Sequence, residues 1–248
     1  MSEGKQNILV EVDNVSIKFN MASERIESMK EYVIKRLKGT IKYNDFYALK
    51  DISFSMNKGD SIGLVGLNGC GKSTLLKTIA GVLKPYTGSV KVHGNIAPLI
   101  ELGAGFDLDL TGEENVFLNG ALLGHSHEEM EKYYDDIVEF SELGSFMSVP
   151  VKNYSSGMLA RLGFGVATIG SPDLLIVDET LAVGDFKFQE KCEKRIQKIL
   201  NNGTSLLFVS HAINQVKRLC ERVLWIEQGK IKMDGPTADV AVKYSNAY

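Results

Sequence analysis

The chain has 248 residues, long enough for one large α/β domain or two tightly joined subdomains and too short for a third. With 28 basic against 31 acidic residues the formal net charge is −3, which excludes a protein that lives on a nucleic-acid backbone unless it carries a local basic patch. Cys70, Cys192 and Cys220 show no close pairing and fit a reducing compartment, no apolar run is long enough to span a bilayer, and the polar N-terminus lacks a signal-peptide core, so a soluble cytoplasmic protein is expected.

Residues 8–19 alternate apolar and polar side chains through Leu9, Val12, Val15, Ile17 and Phe19, and residues 48–56 repeat the pattern, as expected of strands with one buried face. Between them, residues 20–46 read as an insertion with helical spacing of Ile26, Met29, Val33 and Leu37. Arg25, Lys30, Lys35, Arg36, Lys38 and Lys42 accompany that face against Glu24, Glu27 and Glu31. Two readings stand open: a surface helix with a solvated charged side, or a helix at a membrane interface, where each surplus cation contributes at most about 1 kcal/mol near anionic lipid.

The apolar run 61–65 then leads into Gly66-Leu67-Asn68-Gly69-Cys70-Gly71-Lys72-Ser73-Thr74, and helical spacing follows over 75–83. This is the pattern G-x-x-x-x-G-K-[ST] on a strand-to-helix turn. Gly66, Gly69 and Gly71, with Asn68 between them, let successive amides curl around a phosphate chain, and the helix N-terminus adds partial positive charge. Lys72 reaches the terminal phosphates and Ser73, followed by Thr74, offers a hydroxyl to magnesium. Cys70 fills a variable position and has no expected catalytic duty.

Residues 84–88 form a predicted turn, and 89–93 and 95–100 read as short strands. Thr111-Gly112-Glu113-Glu114 and Ser126-His127-Glu128-Glu129 are capping boxes opening helices, so residues 111–170 read as a mostly helical subdomain. Within it, Tyr154-Ser155-Ser156-Gly157-Met158 starts a helix; such a serine is usually an N-cap, yet serine and glycine leave the helix end open to an anion. The run 174–177 delivers Asp178 and Glu179 at a strand tip, where downstream of a P-loop one acid holds magnesium and the second accepts a proton from water. Helices over 187–200 and 212–220, strands over 205–209, 223–227 and 230–233, and a last helical stretch at 238–244 complete a βαβ rhythm that implies a mostly parallel sheet with its ligand at the strand carboxyl ends.

In these motifs, over nearly its whole length, the chain resembles the nucleotide-binding subunits of ATP-binding cassette transporters. Ser155-Ser156-Gly157 is similar to the family's signature, Asp178-Glu179 to its Walker B acids, Asp185 to its D-loop aspartate and Ser210-His211 to its switch histidine. The stretches 101–106, 110–115 and 181–185 are similar to the branch that exports O-antigen, teichoic acid or capsule-type lipid-linked glycans, a branch that carries a helical insertion matching 20–46 and so favours its membrane-interface reading. Departures exist: Glu101 stands at the Q-loop glutamine position, Tyr154, Ser156 and Met158 replace signature residues, and Thr180 stands where proline is common.

The resemblance implies an α/β fold: a P-loop NTPase core with a mostly parallel sheet, an N-terminal antiparallel β subdomain and a helical subdomain. Residues 8–100 and 173–235 would form the core, 111–170 the helical subdomain and 236–248 a C-terminal helix. It implies ATP hydrolysis with Mg2+ held by Ser73 and Asp178, Glu179 polarising water, His211 contacting the γ-phosphate, and Glu101 and Asp185 lining the site. The family's usual interval places Tyr43 as the adenine-stacking aromatic, with Phe46 and Tyr47 close enough to compete. Ser155 and Gly157 would face the P-loop of a second copy in a head-to-tail homodimer. The expected partner is a separately encoded membrane permease handling a lipid-linked glycan, contacted by residues 101–115, at the cytoplasmic face of the membrane and without nucleic acid. The last helical stretch ends close to Tyr248, so no appended carbohydrate-binding domain is expected. The rivals are a soluble cassette ATPase of DNA repair or translation, and a P-loop kinase, which would leave the signature, D-loop and His211 without a role.

Overall fold

A computed structural model describes residues 7–22, 43–100, 102–103, 105–178, 185–210 and 213–247, with residues 21, 22 and 43 described by backbone alone. Strands β1 (Ile8–Ala22) and β2 (Tyr43–Asn57) pair antiparallel, and β4 (Thr87–Val92) adds to the other edge of β1. The alternation read in the sequence is real but interrupted by bulges: Asn14 and Asp51 adopt left-handed φ values of 48° and 50°. Ser16 stitches the irregularity, accepting from the Asp51 amide at 3.0 Å while its hydroxyl donates to Asp51 Oδ1 at 3.2 Å.

The second sheet of the described residues has six strands in the order β5-β6-β7-β3-β8-β9. These are β3 (Ser61–Val65), β5 (Ile96–Leu99), β6 (Leu174–Val177), β7 (Ser205–Val209), β8 (Arg222–Glu227) and β9 (Lys230–Pro236). All neighbours pair in parallel except β8 and β9. Continuous apolar runs such as Leu174–Val177 are buried on both faces, as parallel strands covered from both sides must be. Leu174 and Ile176 face the β subdomain and helix α1 (Lys72–Ile79), whereas Leu175 and Val177 face α5 (Phe186–Asn201), α6 (Ile213–Leu219) and α7 (Thr237–Ala247).

Between β5 and β6 lie α2 (Gly112–Leu122), α3 (His127–Ser141) and α4 (Ser156–Ala167), joined by two short 3-10 turns around a separate cluster that includes Val116, Ile137, Leu143 and Leu162. Both capping boxes form: the Glu114 amide donates to Thr111 Oγ1 and the Thr111 amide to Glu114 Oε2, and Ser126 and Glu129 repeat the exchange. These bonds hold both glutamates below the usual carboxylate range.

Two expectations need correction. The helical insertion at 20–46 is narrower than read, because Asn20, Met21 and Ala22 continue the β ladder against Asp45, Asn44 and Tyr43, with Lys18 and Asp45 ion-paired at 2.7 Å; residues 23–42 lie outside the described residues. The helix after the P-loop starts at Lys72, not at 75, and stops at Ile79. Its end is set by the Val82 and Leu83 amides, which turn back onto the Lys77 carbonyl at 2.9 and 3.1 Å.

Candidate functional site

The P-loop leaves β3 in the interior of the parallel sheet and enters α1. Gly71 is the N-cap of that helix at φ 111°, with no side-chain cap, so the first helical amides remain open to an anion. Glycine is required there twice over: the backbone is left-handed, and a Cβ would lie 2.6 Å from the Ala48 carbonyl oxygen. Lys72 is buried, and its Nζ donates to the Gly66 and Leu67 carbonyls at 2.9 and 3.1 Å, which holds the ammonium across the loop's own mouth. Asn68, Gly69 and Ser73 are exposed and Thr74 is half-buried, so the loop presents its polar groups outward.

The back of the loop is braced by distant segments. The Gly229 amide in the β8–β9 turn donates to the Cys70 carbonyl at 3.1 Å, and the Lys50 amide donates to the Gly229 carbonyl at 2.8 Å. Burial pushes the Cys70 thiol up, against the lowering effect of nearby Lys72, so this sulfur is a packing group and not a thiolate. Tyr244 of α7 packs edge-on against Trp225, its ring centroid 5.4 Å away.

The sheet order brings the acidic end of the site to this loop. β6, β7 and β3 are consecutive parallel neighbours, so Asp178 after β6, Ser210 after β7 and Gly66 after β3 emerge from one edge. Two interstrand steps of about 4.8 Å separate the β6 and β3 tips. Asp178 is buried. Ser210 is buried too and donates to Gln215 Oε1 at 2.8 Å, tying the β7 tip to α6. An open helix N-terminus, a lysine and an exposed serine hydroxyl two strands away from a carboxylate form a donor set that suits a nucleotide phosphate with a hard, oxygen-ligated cation such as Mg2+.

The remaining expected residues divide into two groups. Asp185 is the N-cap of α5, accepting from the Phe188 amide at 3.0 Å, which holds its carboxyl below the usual range. Ser155 is the N-cap of α4, accepting from the Met158 amide at 3.3 Å; beside it, a Cβ at Gly157 would meet nothing nearer than 3.8 Å, so this helix start is open. Ser155 and Gly157 belong to the helical unit, whose cluster includes Met158 and Leu159, while Cys70 and Leu75 of the nucleotide loop belong to another cluster. Glu101, Glu179 and His211 lie outside the described residues, as does the side chain of Tyr43, whose backbone opens β2 opposite Ala22. Phe46 and Tyr47 are exposed, and Tyr47 packs edge-on against Tyr86 at 6.5 Å.

Sequence reading missed Arg161, Glu142 and Lys191, which join the two groups. Arg161 donates from Nη1 to Glu142 Oε2 and from Nη2 to Asp185 Oδ2, each at 2.8 Å. A signal was present, since Arg161 is the sole charged residue of the α4 sequence SGMLARLGFGVA.

Comparisons with known proteins agree with this geometry. Residues 49–182 match the profile of a family described as "ABC transporter". The chain is 47% identical over 213 residues to the O-antigen export system ATP-binding protein RfbB of Klebsiella pneumoniae, covering 86% of this chain and 87% of that protein. It is 38% identical over 239 residues to the teichoic acids export ATP-binding protein TagH of Listeria monocytogenes serotype 4b (strain F2365), covering 96% and 70%. Among solved structures, an ATP-binding subunit of an ABC transporter superposes with a TM-score of 0.74 at 22% identity over 96% of this chain and 93% of that one. A dimeric post-hydrolysis ATP-binding cassette, MJ0796 bound to ADP and Pi, gives 0.72 at 23% identity over 92% and 99%; these two share the fold.

Proposed function

The chain belongs to the ABC transporter family, and from that membership we propose that it is the ATP-hydrolysing subunit of an exporter moving a lipid-linked polysaccharide across the cytoplasmic membrane. The observation that carries the reading is the convergence of the P-loop and Asp178 on one edge of the parallel sheet, in a chain 47% identical to an O-antigen export ATP-binding protein. Lys72 and the open amides of the loop and α1 bind the phosphates. Ser73 and Asp178 would hold Mg2+, which when bound neutralises charge that develops on the phosphate oxygens. Glu179 orients and deprotonates the attacking water, and His211 contacts the γ-phosphate. Tyr43 stacks on the adenine, and Glu101 lines the site as a carboxylate.

The start of α4 has no acidic residue in its first turn and leaves space beside Gly157, which suits a phosphate held by the P-loop of a second copy, so that a head-to-tail homodimer would complete each site. An apolar groove of about 180 Å³ between the core and the helical unit, lined by Pro98, Ile100, Leu102, Phe106, Leu122 and Val166, is the surface we assign to the permease, with the chain at the cytoplasmic face of the membrane. No helix among the described residues is long and apolar enough to cross a membrane.

Glu179→Gln should retain ATP binding and lose hydrolysis by a factor on the order of 10²–10⁴. Wild-type turnover in that variant would remove Glu179 from the mechanism. Purification from detergent-solubilised membranes should bring down a polytopic membrane protein; recovery of ribosomes or DNA in its place would refute the exporter reading.

A further inference from the structure

We infer that Arg161 is a positioning residue for ATP hydrolysis: its guanidinium fixes the angle between the helix capped by Ser155 and Asp185, the N-cap of α5. The inference rests on the ATPase reading above and assigns a new role within it.

The geometry is a split fork. Arginine commonly gives both arms to one carboxylate, but here Nη1 goes to Glu142 and Nη2 to Asp185, each at 2.8 Å. Glu142 is the left-handed C-cap of α3, and Asp185 is the N-cap of α5, so one side chain on α4 joins two helix ends in different parts of the fold. Its plane is held as well, with the guanidinium carbon 4.5 Å from the centroid of the buried Phe188 ring. Asp185 has no slack on its side: Oδ2 takes Arg161 and Oδ1 takes the Phe188 amide.

Glu142 is fixed independently. Lys191 donates to Glu142 Oε1 at 3.0 Å and to the Glu139 and Phe140 carbonyls at 3.1 and 2.9 Å, closing the C-terminal end of α3 with a cation. One turn further along α5, Arg195 pairs with Asp136 and lies 4.8 Å from the Phe140 centroid. Phe188, Lys191 and Arg195 thus form one face of α5 that grips α3, and Arg161 is the arm that extends this grip to α4.

The side chains of Glu142 and Asp185 are 45% and 63% exposed, so the ion pairs add little to global stability. Their effect is directional. Ser155 lies six residues before Arg161 on one rigid helix, so rotation about the fork swings the open helix start that must meet a phosphate in the second copy. Ground-state ATP binding to the P-loop of a single copy does not involve the fork, and assembly of the hydrolytic site does.

The test compares Arg161→Ala, Arg161→Lys and Glu142→Gln in the full chain, below the melting temperature of each. Lysine keeps the charge but cannot bridge two carboxylates while stacking on a ring. Affinity for a fluorescent ATP analogue in dilute single copies should stay within about twofold of wild type in all three. The kcat should fall on the order of 10²-fold in Arg161→Ala, about tenfold in Arg161→Lys and about threefold in Glu142→Gln. If Arg161→Ala does not fold, the other two decide. Wild-type kcat in both of those, or a change confined to KM, overturns the inference alone. A wild-type chain that binds ATP without turning it over overturns the ATPase reading, and the inference with it.

Discussion

The nucleotide loop and the helical unit are held in place by different physics. Around the loop, backbone meets backbone: Gly71 lies against Ala48, Gly229 bonds Cys70, and Leu75, Leu76 and Ile79 are buried in the core beneath. The helical unit has its own apolar cluster, and its seam to α5 combines buried Phe140 and Phe164 packed near Phe188 with ion pairs whose partners are half-exposed. The close-packed loop has one arrangement, because displacing it would strand carbonyls and amides. The seam has one arrangement too, with Phe140 packed on Phe164 and Phe188, but its angle is set by a few side chains where the loop's is set by backbone, so single substitutions should reach α4 more readily than the sheet edge.

The largest effect should come from the rigid side. Lys72→Ala removes the cation across the loop's mouth and should reduce hydrolysis by a factor on the order of 10²–10³, with ATP affinity lost in parallel, as measured by steady-state ATPase and equilibrium binding. Retained affinity would show that the loop amides suffice alone. The next contrast lies between two glycines with left-handed backbones. A Cβ at Gly229 would lie 2.8 Å from the Ala48 carbonyl oxygen, whereas at Gly69 nothing lies within 4 Å. Gly229→Ala should therefore cost roughly 2–3 kcal/mol in urea unfolding and Gly69→Ala about 1 kcal/mol, and equal costs would mean that the Gly229 turn is not a brace.

The seam should respond to acid before the core does. Arg195 holds Asp136, and Lys191 and Arg161 hold Glu142, below their ordinary values of 3.8 and 4.5. A depressed carboxylate stabilises fully above its unfolded value, so this contribution is complete above about pH 4.5 and is lost as pH falls through the lowered values. Hydrogen exchange should show α3 and α4 losing protection below pH 4.5 while β3, β6 and β7 keep theirs; simultaneous loss would contradict two separate regimes. The smallest effect belongs to the start of α2, where Thr111→Ala removes the acceptor for the Glu114 amide and should cost about 1 kcal/mol in thermal unfolding, with kcat unchanged.

Much of this was legible in the sequence because its signals are local. The Gly66–Thr74 pattern specifies its own turn, the capping boxes announce their helices within four residues, and four apolar residues before Asp178 read as a buried strand. The narrower insertion was not legible, since Asn20 and Asp45 pair across a gap that periodicity does not bridge. The P-loop helix was placed late because Lys72, Ser73 and Thr74 read as motif residues, although they form its first turn.

By itself the sequence carried the groups to which the proposed chemistry is assigned, a contiguous loop with its amides, a lysine and a hydroxyl, and an apolar strand ending in an acid, because spacing along the chain sets them. Tertiary structure decided where they meet and what steers them. Only the strand order β6-β7-β3 sets Asp178 beside the P-loop, and only packing of three helices brings Glu142, Arg161 and Asp185 into one fork. The partners of that fork are 19 and 24 residues from Arg161 in the chain, a separation at which helix packing, and no local pattern, determines contact.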